Sequence, residues 1–199
     1  MDNASVLDIF RKSGALLEGH FQLTSGLHSN QYFQCAKVLQ YPEYCTLLCG
    51  ELARQFQGNK PDVVIAPALG GIVVAQEIGR QLGVKTMFTE RKEGSMQLRR
   101  GFEIRPGERV LVCEDVVTTG GSVQEVIAIV AQCGGTVSGV AYIVDRSGGR
   151  VKFPVTPGGL QCSVLHMDVV TYQPADCPLC ASGSAVIKPG SRGNYGTTK

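Results

Sequence analysis

The 199-residue chain lacks any apolar run long enough to cross a bilayer. Its N-terminal stretch carries Asp2 and Asp8 and lacks the basic-then-apolar pattern of a secretory signal, so a cytoplasmic location is the expectation. A charge excess is missing too. Nineteen Lys and Arg face seventeen Asp and Glu, a net charge of +2, so charge alone draws the chain to neither nucleic acid nor membrane. No glycine loop ends in the Lys-Ser/Thr of a nucleoside triphosphatase. There is no internal repeat, and no low-complexity segment before Pro174. Hydrophobic residues at 43% and charged residues at 18% fit one globular α/β domain with a sizeable core. Of the eight cysteines, Cys35, Cys133 and Cys162 have no ligand-like spacing, and Cys45, Cys49 and Cys113 read as buried free thiols.

The hydrophobic pattern alternates strand with helix. Val6, Ile9, Phe10, Leu16 and Leu17 predict a first helix, capped by Asn3 or Ser5 and ended by Gly19. Phe21 to Phe33 reads as a hairpin turning at Ser25 to Asn30. Pro42 opens a helix to about Phe56, with Leu47, Leu48, Leu52 and Phe56 inward. A strand at Val63 to Pro67 leads through Gly70-Gly71 into a helix from Ile72 to Leu82. A short strand at Thr86 to Glu90 precedes a charged loop, Arg91 to Gly101. Strands follow at Val110 to Cys113, Val137 to Asp145 and Val164 to Tyr172, with a helix from Val123 ended by Gly134-Gly135. Such alternation implies a doubly wound, mainly parallel sheet, whose ligands bind beyond the carboxyl ends of the strands. Gly70-Gly71, the Arg91 loop, Asp115 and Arg146 all fall there.

The segment Val110 to Gln124 carries the chemistry. An apolar strand ends in Glu114 and Asp115, and Val116 and Val117 lead to Thr118, Thr119, Gly120, Gly121 and Ser122. Glycines let backbone N–H groups approach a ligand, and the first N–H groups of a helix favour an anion. Thr118, Thr119 and Ser122 add hydroxyls. Two carboxylates beside that cradle suit sugar hydroxyls or a bound Mg²⁺, and a sugar phosphate satisfies both ends. The competing reading is an ordinary capped strand-to-helix turn, which leaves carboxylates at a core strand end without a purpose.

The string Val110 to Ser122 resembles the phosphoribosyl-pyrophosphate (PRPP) motif of type I phosphoribosyltransferases at every position. The resemblance sharpens to orotate phosphoribosyltransferases through Gly19 to Phe33, similar to that family's hood hairpin, and through Asp145-Arg146. It covers about Val6 to about Tyr172. It implies the type I phosphoribosyltransferase fold in a single domain, with a hood over about 1–40, a core over about 41–172 and an extension over 173–199. It implies transfer of ribose 5-phosphate from PRPP to orotate in pyrimidine biosynthesis, with Mg²⁺ as cofactor bridging pyrophosphate and ribose rather than sitting in a dedicated protein site. Glu114, Asp115, Val116, Val117, Thr118, Thr119, Gly120, Gly121 and Ser122, together with Arg91 and Lys92, are then the PRPP-binding set. Asp115 and Lys92 are the catalytic candidates, and Thr118 and Arg146 contact orotate. Loop 90–101 is a lid, shared across a homodimer. Its start, Arg91-Lys92-Glu93, matches the family, but the family's second lid lysine and its histidine are absent. The hood lysine is Thr24 here, and the lysine of the pyrophosphate loop is replaced near Gly70. Arg99 or Arg100 compensates, or the lid has its own chemistry.

Without the motif, Arg146 would read as a surface ion pair with Asp145 or a nearby acid, and the Arg91 loop as a solvated charged hairpin. Two other functions fit the PRPP motif: a purine phosphoribosyltransferase, and a PRPP-sensing regulator without transfer activity. The hood and Arg146 speak against the first; the length and balanced charge, which leave no nucleic-acid module, speak against the second. In the tail, Cys177 and Cys180 form one CxxC, half a zinc site. Two free thiols in an extension is the plainer reading, with zinc left open. Ser182 to Lys199 is rich in Gly and Ser and is expected to be poorly ordered at its end.

Overall fold

The computed structural model describes residues 1–23, 25–167 and 170–189; Thr24, residues 168 and 169 within the strand expected over Val164 to Tyr172, and the end of the tail, 190–199, lie outside the described residues. Helix α1 spans Asn3–Lys12, and its cap is Asp2, whose carboxylate accepts the Ser5 N–H at 2.8 Å, rather than Asn3 or Ser5. The helix stops well before Gly19 because Gly14 takes a left-handed φ of 64°. Leu16 and Leu17, expected in that helix, instead open strand β1 (Leu16–Gln22). β1 pairs antiparallel with β2 (His28–Phe33). The hairpin turns earlier than expected, because Gly26 has φ 85° and the Leu23 N–H already reaches the Leu27 carbonyl.

A short helix, α2 (Cys35–Leu39), went unread in the sequence. Helix α3 (Pro42–Gln55) starts on its proline and buries Cys45, Leu48, Cys49 and Leu52. Leu47 is a correction: it lies off that stripe and is exposed. Then follow β3 (Val63–Pro67), α4 (Gly70–Leu82), β4 (Lys85–Lys92), β5 (Ser95–Leu98) and β6 (Arg109–Val117). Helix α5 (Gly121–Gln132), β7 (Thr136–Asp145), β8 (Leu160–His166), β9 (Thr171–Tyr172) and α6 (Pro178–Ala181) complete the order.

The main sheet has the order β5-β4-β3-β6-β7-β8, parallel throughout except for β5. Strand alternation divides its side chains between two cores. Leu111 and Cys113 face a layer built from α1, α3 and α4, while Val110 and Val112 face α5. The single last strand expected over Val164 to Tyr172 is two strands. β8 stays in the main sheet until the Met167 N–H meets the Asp145 carbonyl; β9 then crosses to pair with β2, completing a small sheet of order β1-β2-β9. Among the described residues no helix is long and apolar enough to cross a membrane.

Candidate active site

Strand β6 does not end at Cys113. It carries its ladder with β7 through both acids, pairing Glu114 with Tyr142 and Val117 with Asp145. Glu114 is therefore buried, and its Oε1 accepts the Asp115 N–H at 3.0 Å. Asp115 Oδ1 accepts the Val116 N–H at 2.8 Å. Loss of solvent, and then the neighbouring Asp115 charge, push the Glu114 carboxyl well above its usual range. Among the described residues neither acid has an ion pair, so the strand end presents negative charge that awaits a partner.

The turn after β6 forms a cavity of about 70 Å³ lined by Glu114 and by Val116, Val117, Thr118, Thr119, Gly120, Gly121, Ser122 and Val123. Gly120 precedes α5 with φ 78°, a conformation costly for any other residue. A Cβ there would also come within 2.8 Å of Phe153 and Val151. Among the described residues no side chain caps α5, and no acid sits in its first turn. Its leading N–H groups and the exposed Thr118 and Thr119 thus face the cavity with their donors open, as an anion site needs.

Asp115 points the other way, toward the start of α4. A Cβ on Gly70 would run into the Asp115 carboxylate, and one on Gly71 would lie 3.1 Å from Glu114 Oε1. The two glycines let a second helix N-terminus approach the acid pair. The sequence showed this glycine junction but not which side chains it would meet.

The Arg91 segment is a β-hairpin rather than a loop. β4 runs on to Lys92 and pairs with β5 around Glu93 and Gly94, both at positive φ, which suits a two-residue turn. Arg91 forks onto Glu125 of α5, with nitrogen–oxygen distances of 2.5 and 3.0 Å. Arg99 and Arg100 both hold Glu90 at 2.9 Å, and Lys92 lies 3.9 Å from Glu93. The structure therefore seats Arg91 beside the first turns of α5 but does not bring Arg91 or Lys92 into the cavity.

Arg146 follows β7, and its N–H bonds the Val117 carbonyl, which places it next to the Thr118 turn. The ion pair with Asp145 does not form. Asp145 Oδ1 instead accepts the Ser147 N–H and hydroxyl, both at 2.7 Å. Arg146 Nε is buried without a hydrogen-bond partner among the described residues. Burial pulls the guanidinium below its ordinary value, and the neighbours that act on it are Tyr32 of β2 and Cys35. A buried unpaired guanidinium nitrogen between hood and core is a ready anion partner. Tyr32 and Cys35 were missed in the sequence because their proximity depends on how the hood folds over.

Cys177 and Cys180 lie apart from this cradle, on the hood, where they face His20 and His28. Among the described residues, the side chains that meet the CxxC are these two histidines of the same chain.

An anion cradle with paired acids at the carboxyl edge of a parallel sheet defines the class of phosphoribosyl-transferring proteins, and the phosphoribosyl transferase domain model matches residues 43–153. An orotate phosphoribosyltransferase of Chlorobaculum parvum is 59% identical, covering 98% of both chains. One of Heliobacterium modesticaldum is 57% identical, covering 96% of this chain and all of that one. The chain belongs to the orotate phosphoribosyltransferase family. Among solved structures, orotate phosphoribosyltransferase from Aeropyrum pernix aligns with a TM-score of 0.66 at 26% identity, covering 81% of this chain and 93% of that one. Adenine phosphoribosyltransferase from Rhodothermus marinus reaches the same TM-score at 21% identity over 83% of this chain and all of that one, a likeness of fold alone.

Proposed function

We propose that this chain transfers ribose 5-phosphate from PRPP to N1 of orotate, giving orotidine 5'-phosphate and pyrophosphate. The observation that carries the acceptor is the half-buried Arg146, whose Nε is buried and unpaired among the described residues where the core meets the hood. A pyrimidine carboxylate satisfies that nitrogen; a purine has no such group. The 5-phosphate sits on the N-terminus of α5 and on Thr118 to Ser122, and Glu114 and Asp115 accept hydrogen bonds from the ribose hydroxyls.

No nucleophilic side chain is needed. The bond from C1' to pyrophosphate lengthens toward an oxocarbenium ion, and the protein contributes orientation and charge at the leaving group. The acid pair fits a hard divalent cation, because its oxygens lack ion-pair partners among the described residues. Glu114 and Asp115 would hold Mg²⁺, which would supply positive charge beside the departing pyrophosphate. Arg91 and Lys92 swing from Glu125 and Glu93 onto pyrophosphate as the β4–β5 hairpin closes, excluding the water that would hydrolyse PRPP. The functional unit is a homodimer in which the hairpin closes on the partner's site, and the enzyme works in the cytoplasm.

Orotate consumption, followed spectroscopically with PRPP and Mg²⁺, tests this reading. Turnover with orotate and none with adenine, guanine or hypoxanthine is expected. Folded protein that leaves orotate untouched overturns the assignment.

A further inference from the structure

We propose that His20, His28, Cys177 and Cys180 form a structural zinc site that fastens the C-terminal segment to the hood. The four ligating atoms lie within 4.8 Å of one another. His20 is on β1 and His28 opens β2, brought together by the hairpin register and the bulge between Glu18 and Phe21. Cys177 immediately precedes α6, and Cys180 follows one turn on. Three separated stretches of chain thus deliver two imidazoles and two thiols to one point.

The geometry matches a tetrahedral ion. Zinc–nitrogen and zinc–sulfur bonds of about 2.0 and 2.3 Å place ligand atoms roughly 3.3–3.8 Å apart. Cys177 Sγ and Cys180 Sγ stand 3.6 and 3.7 Å from His20 Nε2, and Cys180 Sγ stands 3.3 Å from His28 Nδ1. His20 Nε2 and His28 Nδ1 are 2.8 Å apart and need to open by about half an ångström to hold the ion between them. A second, independent observation fixes the tautomer. The other nitrogen of His20, Nδ1, meets the Ser184 carbonyl at 2.9 Å. That bond requires Nδ1–H and leaves the Nε2 lone pair aimed at the cysteines, the outer-shell arrangement that orients metal-bound histidines.

The surrounding backbone serves the same junction. β9 pairs with β2 at His28, and after α6 the Ile187 N–H and carbonyl bond His20 and Gln22. Four protein ligands close the tetrahedron, so the ion has no open position and its role is structural. Binding requires each cysteine to lose its proton, and the buried Cys177 leaves only the Cys180 side for exchange.

The proposal stands whatever the acceptor base, so its failure and that of the orotate reading are separate events. Full-length protein is purified without chelator, and zinc is measured by elemental analysis and by native mass spectrometry. One zinc per chain is expected, lost in Cys180→Ser and in His28→Asn but retained in Cys133→Ser. Cobalt reconstitution of the wild-type chain, which needs no variant to fold, should give the visible bands of tetrahedral cobalt with thiolate-to-metal charge transfer. Chelation should lower the thermal midpoint, and added zinc should restore it. Metal-free protein with no cobalt spectrum overturns the proposal, and so does a Cys177–Cys180 disulfide, seen as a mass deficit of two hydrogens.

Discussion

At the scale of single residues the site is governed by charges held out of water. Arg146 is the sharpest case, because no acid among the described residues neutralises its buried Nε. Arg146→Gln should raise the KM for orotate by about 100-fold, the order expected when one member of a buried charged pair is lost, while the KM for PRPP changes little. Steady-state kinetics with each substrate varied in turn reads that split. Equal effects on both constants would remove Arg146 from the acceptor site. Glu114 behaves in the opposite sense. Its folded-state pKa lies above the ordinary carboxylate value, so the folded chain holds a proton that the unfolded chain has released. Ligand-free stability should therefore fall as pH rises above about 4.5, the usual glutamate value, and Glu114→Gln should abolish that part of the slope. At neutral pH the variant should melt about 2–4 °C higher, roughly 1 kcal/mol, yet bind PRPP more weakly. Calorimetry and PRPP titration together test it; a lower melting point would show that the carboxylate is already stabilised in the free protein. Asp115→Asn belongs beside it: sugar binding should weaken and transfer should slow by about 100-fold or more.

At the scale of elements, two glycine junctions place helix starts against the acids. Gly70→Ala drives a methyl into the Asp115 carboxylate, so it should impair PRPP binding with little loss of overall stability, because α4 itself would accept alanine. Isothermal titration beside a melting curve distinguishes that from general unfolding, and unchanged PRPP affinity would refute the close-approach argument. The junctions show what a sequence can and cannot convey. Val63–Pro67 was read to the residue, and the cradle from Glu114 to Ser122 was visible because its chemistry is contiguous along the chain. Leu16 and Leu17 continue a helical spacing, so the sequence extends the first helix to them, whereas the left-handed Gly14 stops it. The strand at Val164 to Tyr172 was read as one because apolar content does not tell which sheet a residue joins. His20 and His28 escaped notice as partners of the CxxC for a related reason. About 150 residues separate them from Cys177, and the pairing of β9 with β2, together with the Ile187 bonds to β1, closes that gap.

At the scale of the whole molecule the question is which site the β4–β5 hairpin serves. In the single chain its cations rest on Glu125, Glu93 and Glu90, and they do not enter the cavity lined by Thr118 to Ser122. Arg91 is held by an exposed ion pair, worth under about 1 kcal/mol, so the hairpin can leave α5 at little cost. A symmetric dimer would give it a second destination. Mixing two inactive variants decides between them. Lys92→Ala damages the hairpin, and Asp115→Asn damages the cradle. If each hairpin closes on the partner's site, a mixed dimer has one site with both defects and one with neither. Random subunit exchange makes about half the dimers mixed, so about a quarter of wild-type activity should return. If each hairpin closes on its own cradle, every site in the mixed dimer keeps one defect and nothing returns. Native mass spectrometry must first show that mixed dimers have formed. Mixed dimers without activity would place the hairpin over its own site, and a chain that sediments as a monomer at assay concentration would remove the shared lid altogether.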